Sequence, residues 1–142
     1  MKSLPQMLPW DTPVKANGYR ALELVELAFL SSGLRIVLLE EDEEAQWELA
    51  VPQYRAVCVT AEESAHEIYA QLLGYDAFWR AVDSPWLRTL GMGDRFERGT
   101  VGHYVVCCYD EVIEFASPMD APSFRRLDEE TADDDGAALL QR

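Results

Sequence analysis

The stretch Leu34-Arg35-Ile36-Val37-Leu38-Leu39-Glu40-Glu41-Asp42-Glu43-Glu44-Ala45-Gln46-Trp47-Glu48-Leu49-Ala50-Val51 decides the fold. Leu34 to Leu39 is a short apolar run with the character of a buried strand. Gln46 to Val51 alternates, with Trp47, Leu49 and Val51 on one face and Gln46, Glu48 and Ala50 on the other, the period of a half-buried strand. Five consecutive acids, Glu40 to Glu44, join the two. Two strand-like runs around a short polar link predict a β-hairpin. The link holds no Asn-Gly or Asp-Gly, so its turn type is open. Pro52 ends the second strand, and Tyr54 to Val59 predicts a third.

On the N-terminal side, Ala21, Leu24, Val25 and Ala28 recur at helical spacing, with Arg20, Glu23 and Glu26 opposite, and Asn17 is placed to cap. This predicts a helix over residues 18–30. Further along, Thr60-Ala61-Glu62-Glu63 matches a capping box and predicts a helix to about Leu73, with Ala61, Ala65, Ile68, Tyr69 and Leu72 on its apolar face. Residues 75–82 read as a further short helical stretch. Ser84-Pro85-Trp86-Leu87 is a helix start, with Ser as cap and Pro at the first position. Gly91, Gly93, Gly99 and Gly102 predict a loop. His103 to Tyr109 and Val112 to Ala116 predict strands joined at Asp110-Glu111.

These readings sum to one α+β domain over residues 17–127, with an antiparallel sheet of about five strands and about three packed helices. Residues 1–16, with Pro5, Pro9 and Pro13, form an extended arm pinned by Trp10. Residues 128–142 form an acidic, solvated tail.

Charge bounds the function. The 142 residues carry 26 Asp and Glu against 12 Lys and Arg, a net charge of -14. Nucleic acid and anionic membrane surfaces call for a basic face, so neither is an expected partner. No apolar run approaches the ~20 residues that cross a bilayer. The N-terminus shows no export signal, so a cytoplasmic location is expected. Cys58, Cys107 and Cys108 match no zinc spacing and read as reduced thiols.

No catalytic motif stands out. His66 lies among Glu62, Glu63 and Glu67, but consecutive residues on one solvated face do not converge as metal ligands must, so no metal or cofactor is expected. His103 requires a partner and a pocket to act as a base, whereas a structural role requires a single hydrogen bond. The acidic run Glu40, Glu41, Asp42, Glu43 and Glu44 is either a solvated link or a surface that steers and holds a cationic partner. Trp86 is either core or an aromatic interface anchor.

Phe78-Trp79, Ser84-Pro85-Trp86-Leu87, His103-Tyr104 and Asp110-Glu111-x-Ile113-Glu114-x-Ala116 together resemble a pattern in small immunity proteins of bacterial polymorphic toxin systems, over residues 75–117. The adjacent cysteines and the acidic tail depart from that pattern. The resemblance implies a protein that neutralises a cognate toxin by direct binding, without chemistry of its own. The expected function is therefore an acidic protein-binding module, with Glu40 to Glu44 and Trp86 as its contact residues. A small enzyme with its site near His103 and Glu114, or an adaptor that loads an effector, are the alternatives.

Overall fold

A computed structural model describes residues 6–91 and 101–127. Nine strands form two antiparallel sheets. The first contains β1 (Gln6–Pro9), β6 (Phe78–Val82), β7 (Val101–Cys107), β8 (Glu111–Pro118) and β5 (Ala56–Ala61), in the order β1-β6-β7-β8-β5. The second contains β2 (Leu22–Leu30), β3 (Gly33–Glu40), β4 (Ala45–Val51) and β9 (Ser123–Arg126), in the order β2-β3-β4-β9. The sheets face each other. Leu22, Leu34, Ile36, Leu38, Leu49 and Val51 from the second pack on Phe78, Tyr104, Val106, Ile113 and Phe115 from the first.

The expectation of a single sheet carrying about three packed helices is corrected. The described residues hold two α-helices, α1 (His66–Tyr69) and α2 (Pro85–Thr89), of four and five residues. The segment predicted as a helix over 18–30 is strand β2, entered through a 3-10 turn at Tyr19–Ala21 that Asn17 does not cap. The pairing of β2 with β3 jumps between Leu24 and Glu26. One extra residue, Val25, shifts the alternation by one. Leu22 and Leu24 pack inward before this bulge and Leu27 after it. A period-two pattern broken by one residue imitates a helical spacing, and long-range pairing overrode the local signal. Residues 78–82, predicted helical, form β6 between β1 and β7.

The capping box at Thr60 does not form. Thr60 lies in β5 opposite Val112, and no side chain caps the short 3-10 turn Glu62–Ser64 that follows. The predicted apolar face survives in part: Ala65, Ile68, Tyr69 and Leu72 pack on Trp79, Val105, Cys107 and Val112, covering the outer face of the first sheet, while Ala61 is exposed. The start of α2 is as expected, with Pro85 at its first position and Ser84 Oγ accepting from the Leu87 amide at 3.2 Å. All seven residues of β7 are buried, because β7 is the central strand of a sheet covered on both faces.

Trp10 pins the segment that follows β1. Its ring meets those of Phe78, Tyr104, Phe115 and Phe124 at centroid distances of 4.6–6.2 Å, and its amide donates to the Phe78 carbonyl. The outer face of the second sheet carries a charge ladder across all four strands. Arg35 bonds Glu26 at 3.0 Å and Glu48 at 2.6 Å, and Arg125 reaches Glu48 at 3.4 Å. Gly33 closes the β2–β3 turn at φ 133°, where a Cβ would sit 2.6 Å from the Val51 carbonyl oxygen, so only glycine fits there. No helix among the described residues is long and apolar enough to cross a membrane. The expected loop glycines Gly93 and Gly99 and the acidic tail lie outside the described residues, while Gly102 belongs to β7.

Candidate functional site

The acidic run forms the β3–β4 turn. Its first member differs from the rest. Glu40 is 1% exposed, and its carboxylate accepts from the amides of Asp42 at 3.1 Å and Glu43 at 2.9 Å. A buried carboxylate is stable where charge-assisted bonds replace its water, so Glu40 builds the turn and presents nothing to a partner. Glu41, Asp42, Glu43 and Glu44 are exposed. Glu44 takes φ 53°, the left-handed conformation that lets a four-residue turn close onto Ala45.

Tertiary structure brings other acids to the same end of the sandwich. The Glu41 amide donates to the Ala21 carbonyl at 2.9 Å, placing the turn beside the start of β2 and Glu23. The Tyr109 amide donates to the Leu22 carbonyl at 2.8 Å, bringing in the β7–β8 turn with Asp110 and Glu111. The Glu62 amide donates to the Asp110 carbonyl at 2.8 Å, adding Glu62 and Glu63. Four segments remote in sequence thus meet. Burial, then Asp110 and Glu23, push the Glu111 carboxyl up, the effect expected where like charges crowd. At the centre stands Tyr109, 47% exposed, with the Arg20 guanidinium over its ring at 6.0 Å and over Tyr19 at 5.7 Å. Arg20 also lies 3.7 Å from Glu62. Tyr75, 77% exposed, flanks Tyr19 at 6.2 Å. An acidic rim around exposed tyrosines has the composition of an interface anchor.

Trp86 lies elsewhere. It is half-buried on the outer face of the first sheet and packs on the His103 ring at 4.7 Å. His103 is 3% exposed. Its Nδ1 is 2.7 Å from Ser84 Oγ and its Nε2 is 2.8 Å from Glu114 Oε1. The arrangement that satisfies every group has Ser84 accepting the Leu87 amide while its hydroxyl donates to Nδ1, and Nε2–H donating to the Glu114 carboxylate. This chain ties α2 to β7 and β8. Sequence reasoning noted His103 and Glu114 and cast Ser84 only as a cap. Nothing local links residues 19 positions apart.

Burial holds the two buried thiols in the protonated form. Burial and Glu114 push Cys107 up to about 12, and burial, with Glu111 and Cys107, raises Cys108 well above an ordinary thiol. Among the described residues no three His, Cys, Asp or Glu converge to hold a metal ion. No protein-family model, curated protein or solved structure matches this chain.

Proposed function

We propose that this chain is a protein-binding module that neutralises a cognate toxin by direct binding, and that its contact surface is the acidic end of the sandwich. The observation that carries the reading is the convergence of the β3–β4 turn, the start of β2, the β7–β8 turn and the Glu62–Glu63 segment around exposed Tyr109. Crowded like charges oppose folding, so an end assembled from four acidic segments is best explained by a partner of opposite charge. The identity of that partner as a bacterial toxin rests on the resemblance of residues 75–117 to immunity proteins. Inhibition by occlusion requires no chemistry from this chain, and a cytoplasmic site of action follows from that role.

The test is co-expression with the product of the adjacent gene, scored for toxicity rescue and for a stable complex. Glu41→Lys with Glu43→Lys should slow association, most strongly at low salt, and flatten its salt dependence, because rim charges act mainly through the association rate. Unchanged association and dissociation at low and moderate salt would remove the acidic end from the interface.

One observation favours a second reading. Ser84, His103 and Glu114 form a continuous hydrogen-bonded chain, the residue types of an acyl-transfer site. Against it, Ser84 is 4% exposed and its oxygen already serves as a helix cap. Covalent labelling of Ser84 by a fluorophosphonate probe in the folded protein would establish the hydrolase reading over binding alone.

A further inference from the structure

We propose that the regular part of edge strand β2, residues 26–30, is a docking edge for an extended segment of a basic protein, which joins the second sheet as a further strand. Sheets guard their edges with short strands, charged side chains and prolines. The two lateral sides of this sandwich differ in that respect. On one side, β1 and β9 are four residues each; β1 ends on Pro9, β9 carries Arg125 and Arg126, and Trp10 closes the gap by packing on Phe124.

On the other side lie β2 and β5. The Leu22–Tyr109 hydrogen bond holds the sheets together at one end and the Phe29–Tyr54 ring contact, at 5.7 Å, at the other. Between these ties, no strand among the described residues pairs with the outer edge of β2. Val25, Phe29 and Leu30 are 49%, 59% and 48% exposed there. The bulge at Val25 interrupts pairing, but from Glu26 to Leu30 the register with β3 is unbroken. Five residues span ~17 Å and offer alternate amides and carbonyls to a new strand.

Charge selects the occupant. Among the described residues β5 has no outer neighbour either, but it carries no charged residue within the strand and meets the acidic end only through Glu62 and Glu63 beyond it. β2 carries Glu23, with Glu26 already paired to Arg35 at 3.0 Å, and starts at the acidic end. A segment alternating Lys or Arg with large apolar residues would pair with residues 26–30 and lay its cationic end over Glu23 and the Glu41–Glu44 turn. Strand addition takes affinity from main-chain bonds and specificity from alternate side chains. This inference rests on the reading of a basic partner and adds where and in what conformation that partner binds.

The experiment uses the full chain and a nine-residue peptide alternating valine and lysine, with a fully N-methylated counterpart of equal charge. Amide exchange is followed residue by residue by NMR. The unmodified peptide should slow the outward amides within residues 26–30 at least tenfold, the N-methylated one should not, and Phe29→Lys with Leu30→Lys should abolish the protection while leaving the spectrum folded. Protection confined to β5, equal binding by both peptides, or outward β2 amides already protected in the free monomer would overturn the proposal. Dimerisation of the free chain through β2 would overturn it too, in favour of a second copy as occupant. Should Glu41→Lys with Glu43→Lys weaken the protein partner while the peptide leaves β2 unprotected, the edge proposal fails and the acidic end stands. Should β2 be protected while the charge reversal changes nothing, the acidic end fails instead.

Discussion

Ser84 and His103 are joined by a 2.7 Å hydrogen bond between Oγ and Nδ1, so that the cap of α2 is also the partner of a buried imidazole in the central strand. Ser84→Ala removes both functions. Loss of the cap costs about 1 kcal/mol, and leaving a buried ring nitrogen unsatisfied costs about 1–3 kcal/mol more. Urea denaturation should show a loss on the order of 2–4 kcal/mol, with Ser84→Thr recovering part of it. A loss under about 0.5 kcal/mol, the range of surface substitutions, would mean that water replaces the hydroxyl.

Within the acidic turn, position 40 should behave unlike its neighbours. Glu40→Ala strips the acceptor from two turn amides and should cost about 1–3 kcal/mol. Glu41→Lys with Glu43→Lys touches exposed side chains and should shift stability by no more than about 0.5 kcal/mol. Parallel urea titrations check the contrast.

Glu111 supplies a pH dependence. Its carboxyl is pushed up in the folded chain, so the fold favours the protonated form. The stabilising effect of protonation is fully present below the unfolded value and is lost as pH rises through the raised folded value. Glu111→Gln should therefore raise the thermal midpoint at neutral pH, by the equivalent of no more than about 0.5 kcal/mol after solvent screening. The gain should vanish on acidification below the ordinary carboxylate range. A gain independent of pH would point to a packing effect.

Thiol chemistry should sort the cysteines. Cys58 is exposed, and Cys107 and Cys108 are buried with thiols raised by that burial. Since the thiolate is the reactive form, a disulfide reagent at mildly alkaline pH should titrate one cysteine in the native protein and three after denaturation. Rapid modification of all three in the native state would contradict the burial of β7.

Val106 is fully buried between the sheets. Val106→Asp places an uncompensated charge there, at a cost on the order of 3–5 kcal/mol, a large part of the ~5–15 kcal/mol that holds a domain together. Circular dichroism should show an unfolded or strongly destabilised chain.

The sequence by itself determined the strands of the central hairpins, the capped start of α2, and the role of Trp10. Each rests on near neighbours: period-two alternation, Ser-Pro at a helix start, a short apolar run. Other features were decided only by tertiary structure. Leu22 to Leu30 carried a helix-like spacing because Val25 is a bulge, and only pairing with β3 reveals the strand. Thr60 and Glu63 matched a capping box, yet pairing of Thr60 with Val112 held the chain extended. Glu40 looked like its four acidic neighbours until the turn folded two amides onto its carboxylate. The acidic end joins Glu23, Glu41, Glu62 and Asp110 through three backbone hydrogen bonds between segments far apart in sequence. Loop closure over such distances is what folding accomplishes and local patterning does not encode.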